Sequence, residues 1–67
     1  MIKIKNKKLV ASRTLAGLTQ EKIAKEIGVA EATYNLKENG KRKFNEKEMV
    51  QLSKILRKSM DYLFFTE

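Results

Sequence analysis

Apolar residues recur along the chain at three- and four-residue intervals, and glycines and capping residues cut the pattern into short segments. The first segment covers residues 6–16. Asn6 stands where an N-cap belongs, and Leu9, Ser12 or Arg13, and Ala16 form the inner stripe before Gly17 ends the run. Thr19 caps a second segment, residues 20–27, whose inner face is Ile23, Ala24 and Ile27. Gly28 stops it at a position suited to positive φ. A turn of three to four residues leads to a third helix over residues 31–38, which Asn39-Gly40 terminates. Asn45 followed by Glu48 reads as a capping box in its Asn variant. The fourth helix that it starts runs to about residue 57 and buries Met49, Leu52, Ile55 and Leu56. Ser59 caps a last short helix over residues 60–64. The expected fold is all-α, with five helices in one compact domain spanning residues 1–67.

The two ends carry a different signal. MIKIK alternates apolar and basic residues, which puts Ile2 and Ile4 on one face of a short strand. Leu63, Phe64, Phe65 and Thr66 are also β-prone. The ends can pair as a short terminal β-ribbon, or the N-terminus can fray; the pattern permits both.

The third helix holds a puzzle. Residues 33–42 read TYNLKENGKR. If this helix buries Tyr34, the next inward position falls three or four residues on, at Lys37 or Glu38, while Leu36 points away. A lysine is then buried and a leucine exposed, and the reason lies in what covers the outer face.

Composition narrows the answer. The 67 residues include 15 Lys and Arg against 8 Asp and Glu, a formal net charge of +7. So strong a positive field in so small a domain points to a polyanionic partner. With no cysteine and no histidine, thiolate metal sites, disulfides and the commonest general base are all excluded. No acid–base pair, nucleophile–base set or glycine-rich phosphate loop stands out, so neither catalysis nor a cofactor is expected. Gly17, Gly28 and Gly40 are spaced as helix terminators. No apolar run is long enough to span a bilayer, and MIKIKNKK lacks the apolar stretch of a signal peptide, so the expected location is the cytoplasm.

A tight turn at Gly28 between helices two and three, with small Ala24 allowing close approach, is the layout of a DNA-binding helix-turn-helix. The run GLTQEKIAKEIGVAEATYNLKENGKR resembles the phage repressor/Cro-like (Xre) helix-turn-helix family. The likeness covers almost the whole chain, from ASR in helix one through GLTQ, IGV and ENGKR to MDYLFF, and looks most like small regulators of phages and mobile elements. It implies a lambda-repressor-like domain that binds double-stranded DNA as a homodimer and regulates transcription.

The resemblance also implies roles for residues. Glu31, Ala32 and Leu36 fall where base edges are touched, and Asn35 can reach a base or a phosphate. Gln20 matches a phosphate contact at the start of helix two; Asn39 matches another, and Thr33, Lys41, Arg42 and Lys43 are expected to follow the backbone. Arg13 and Glu38 match an internal ion pair, consistent with the repulsion that a free carboxylate would meet beside phosphate. Tyr62, Leu63, Phe64 and Phe65 crowd one end and are expected to form the dimer surface, or else to close the monomer core.

The sequence departs from the family pattern at helix three. Ala30 replaces the usual Ser or Thr cap, at about 1 kcal/mol of lost capping. Glu31 can accept from cytosine N4 and Ala32 can touch a thymine methyl, but neither makes a bidentate purine contact. Leu36 is expected to meet thymine methyls or sugar carbons, and Lys37 to bury its stem under Tyr34 and Phe44 with its ammonium reaching outward. A different reading makes the chain a protein-interaction module, antitoxin-like or anti-repressor, whose basic face binds an acidic protein with little salt-linked DNA binding.

Overall fold

The computed structural model describes residues 6–65. Within them the chain forms α1 (Lys7–Leu15), α2 (Gln20–Ile27), α3 (Glu31–Glu38), α4 (Glu46–Leu56) and a short π-helical segment, α5 (Asp61–Phe65). The five-helix expectation holds, and α2 and α3 have the expected bounds. Thr19 accepts from the Lys22 backbone N–H at 3.0 Å. Gly28 closes α2 in the left-handed region at φ 78°, and Val29 N–H donates to the Ala24 carbonyl at 3.0 Å to complete the turn. A Cβ at Gly28 would meet nothing within 4 Å. Glycine is needed there for the backbone angle alone, at about 1 kcal/mol for any other residue.

The core is one cluster of Leu9, Ile23, Ala24, Ile27, Tyr34, Leu52, Leu56 and Leu63, with Leu18, Val29, Phe44, Ile55 and Phe64 packed against it. Burial of each large aliphatic side chain contributes about 2 kcal/mol. Tyr34 meets Phe44 edge-on at 5.9 Å, and Phe44 meets Phe64 at 5.4 Å, so one aromatic string links α3, the following loop and α5. Asn45 and Glu48 form the full capping box of α4. Ser59 Oγ accepts from Tyr62 N–H at 3.0 Å and starts the last turn.

Five expectations are corrected. Asn6 does not cap α1 with its side chain. Instead its Nδ2 donates to the Lys37 carbonyl and its backbone N–H to the Glu38 carbonyl, both at 3.1 Å, serving carbonyls at the end of α3 that have no partner in their own helix. Ala16 is exposed, because α1 ends at Leu15 before its stripe completes another turn. Leu63, Phe64 and Phe65 are helical, so the C-terminal half of the β-ribbon is absent; the half containing Ile2 and Ile4 lies outside the described residues. Leu63 is 1% exposed and belongs to the monomer core, and Phe64 is packed on Phe44, which leaves Tyr62 and Phe65 as the exposed members of that group.

The fifth concerns Lys37. It is buried, but its ammonium does not reach outward: Nζ donates to both Glu48 carboxylate oxygens at 2.7 and 2.8 Å. The partner sits on the next helix, where Glu48 also accepts from Asn45 N–H at 3.0 Å. Removal of one member of a buried pair leaves an uncompensated charge. Lys37→Met is therefore expected to lower unfolding stability by about 3 kcal/mol in urea titration. Adding Glu48→Gln, which keeps the capping box, is expected to recover most of that loss.

Candidate nucleic-acid interface

Tyr34 and Glu38 lie one turn apart on α3 and both point inward, with the Tyr34 hydroxyl donating to Glu38 Oε2 at 2.8 Å. That rotation of the helix turns Glu31, Ala32 and Leu36 outward; Leu36 is 37% exposed. Gln20, Glu31, Ala32, Asn35 and Leu36 line one open depression across α2 and α3. Thr33 is half-buried on the flank of α3, and Ala30 leaves the first turn without a side-chain cap.

Glu38 is 1% exposed and receives four donors. Arg13 Nε reaches Oε2 at 2.8 Å and Nη2 reaches Oε1 at 3.2 Å, while Gln20 Nε2 reaches Oε1 at 2.7 Å and the Tyr34 hydroxyl completes the set. Arg13 Nη1 also donates to the Leu18 carbonyl at 2.8 Å and so fixes the α1–α2 connection. Gln20 is therefore engaged within the protein: its Oε1 accepts from Asn35 Nδ2 at 3.1 Å, and only one amide N–H remains outside these two bonds. No spacing rule links Gln20 to Glu38 or Asn35 across 18 and 15 positions, and these two bonds are what sequence reasoning missed.

Asn39 ends α3, its Nδ2 donating to the Asn35 carbonyl at 2.9 Å. The backbone N–H groups of Lys41 and Arg42 both donate to the Leu36 carbonyl, at 2.9 and 3.3 Å, which folds the loop against the end of α3. Lys41, Arg42 and Lys43 project from it exposed. Among the described residues no three potential metal ligands come together, and no helix is long and apolar enough to cross a membrane.

Burial alone would raise the Glu38 carboxyl pKa, but the hydrogen bonds from Arg13, Gln20 and Tyr34 and the Arg13 charge outweigh it and hold it below its ordinary value. Glu48 follows the same pattern, with burial opposed by Lys37 and the Asn45 N–H. The hydrogen bond to Glu38 raises the Arg13 pKa further. Burial and the neighbouring carboxylate push the Tyr34 hydroxyl far up, so it remains a donor.

Fold and site together define a helix-turn-helix DNA-binding transcription regulator. Residues 9–63 match the family model described as Helix-turn-helix, and the chain belongs to that family, in its Xre-like form. Among solved structures it is similar to the restriction-modification controller protein C.AhdI from Aeromonas hydrophila, at 27% identity and a TM-score of 0.77, covering 88% of this chain and 89% of that one. No curated protein matches it.

Both depressed carboxyls bind protons more readily in the unfolded chain. Their stabilisation is complete above the ordinary value of 4.5 and is lost as pH falls through the lower native values. The thermal midpoint followed by circular dichroism is expected to hold near neutrality and to drop below about pH 4.5. Arg13→Ala is expected to cost about 3 kcal/mol near neutrality and to flatten that acid-side drop, because Glu38 loses its main cation.

Proposed function

We propose that the chain is a transcriptional repressor that binds as a homodimer to a two-half-site operator, with α3 in the major groove of each half-site. The observation that carries this reading is the shared depression of Gln20, Glu31, Ala32, Asn35 and Leu36, together with the exposed cations Lys41, Arg42 and Lys43 on a loop whose backbone bonds to the Leu36 carbonyl. Glu31, Ala32, Asn35 and Leu36 meet base edges. Thr33, Asn39, the remaining Gln20 N–H and the basic loop hold the phosphates. Tyr62 and Phe65, at 40% and 64% exposure, supply apolar area for the dimer contact. Two copies set one helical turn apart gain more affinity than one. The chain acts in the cytoplasm by binding, without a catalytic step. Similarity to a restriction-modification controller protein of comparable length supports a role in gene control.

Salt titration of operator affinity tests the interface. Replacing Lys41, Arg42 and Lys43 by Gln is expected to reduce the slope of log K against log salt by about 3 and to weaken all sequences alike. Leu36→Ala is expected to lower operator affinity about tenfold with the thermal midpoint nearly unchanged. Salt-insensitive binding, or a large stability loss in Leu36→Ala, would count against α3 as the reading helix.

A further inference from the structure

We infer that Asn35 reads an adenine in each half-site, and that buried Glu38 sets the orientation of the Asn35 amide through Gln20. The inference rests on α3 entering the major groove and adds which base is read and what selects it.

A side-chain amide has an acceptor end and a donor end of nearly the same shape, so an isolated Asn can present either to a base. Here the choice is removed stepwise. An ionised carboxylate can only accept, and the depressed pKa of Glu38 keeps it ionised. At 2.7 Å from Glu38 Oε1, Gln20 must present its nitrogen. Its oxygen then faces α3, where it can only accept, and Asn35 must present its nitrogen in turn, at 3.1 Å. Turning the Asn35 amide over would set two carbonyl oxygens against each other, which penalises the alternative.

Asn35 is left with its carbonyl oxygen and one N–H, beside an open depression. In the major groove adenine offers a donor at N6 and an acceptor at N7, matching one acceptor and one donor. Guanine offers two acceptors, cytosine a donor, and thymine an acceptor with a methyl group, so none of these uses both ends of the displayed amide. Arg13 and Tyr34 hold the origin of the chain still, so the orientation is set before DNA arrives.

Selection of bound duplexes from a randomised pool tests this, using the full chain, Asn35→Ala and Gln20→Ala. Gln20 is half-buried and Glu38 keeps Arg13 and Tyr34 without it; melting confirms that each variant is folded. The unaltered chain is expected to enrich a motif with one adenine per half-site favoured about tenfold over other bases. Asn35→Ala should erase the preference at that position alone. Gln20→Ala should weaken the same preference severalfold while other positions keep theirs. A base other than adenine at the Asn35-dependent position overturns the assignment. So does a Gln20→Ala motif with the adenine intact and affinity reduced evenly, which would make Gln20 a phosphate contact only. A pool in which the unaltered chain enriches no motif overturns the operator reading itself, and the adenine assignment with it.

Discussion

The arrangement of the first three helices depends on one buried carboxylate. Glu38 takes donors from α1 through Arg13, from α2 through Gln20 and from its own helix through Tyr34. Removing a carboxylate from water is expensive, and four donors filling its acceptor sites offset that cost. The apolar cluster supplies most of the stability, but it is non-directional and would tolerate some rotation of α3 about its axis. The hydrogen bonds to Glu38 would not. They fix which face of α3 turns outward.

The second buried pair explains the transposed look of Leu36 and Lys37. Glu48 neutralises Lys37 inside the protein, so the lysine can take an inward position without stranding a charge. The outward face of α3 is then left with Glu31, Ala32, Asn35 and Leu36, and no cation. Positive charge sits instead on the loop that follows α3, at the exposed Lys41, Arg42 and Lys43. In the proposed complex, attraction to the phosphate backbone and contact with base edges are carried by separate segments.

Much of this was legible in the chain. Thr19, Gly28, Asn45 and Ser59 act within a few residues of themselves, so local rules placed both ends of α2 and the starts of α4 and α5 closely. The Arg13 bond to Glu38 could be anticipated from the family pattern and from the repulsion an unpaired acid would meet. Contacts that depend on packing between elements were not legible. Lys37 looked outward-reaching because its partner lies 11 residues on, across a loop of unknown path. Asn6 carried the signature of a cap, yet the nearby end of α3 offered its amide better partners. Leu63 looked like surplus apolar area until α5 closed over α1 and made it core. Ala16 fitted the periodicity of a helix that ended one residue too soon.

A reading face without cations has a consequence for the balance between affinity and discrimination. Phosphate contacts raise affinity for every duplex equally, so the loop cations alone cannot separate an operator from other DNA. In the proposed complex, discrimination falls to Glu31, Ala32, Asn35 and Leu36, two of them apolar and one acidic. The acid repels phosphate when the helix is misplaced, and apolar contacts distinguish thymine from cytosine only modestly. Under those conditions a polar group held in one orientation contributes more than a mobile one, because it rejects mismatched bases by leaving its donor or acceptor unmet. On a two-half-site operator each such rejection acts twice, and the free-energy penalties add when the half-sites are far enough apart to be independent. A small domain with a nearly neutral reading helix can therefore be selective, provided that its buried charges hold that helix in a single rotation.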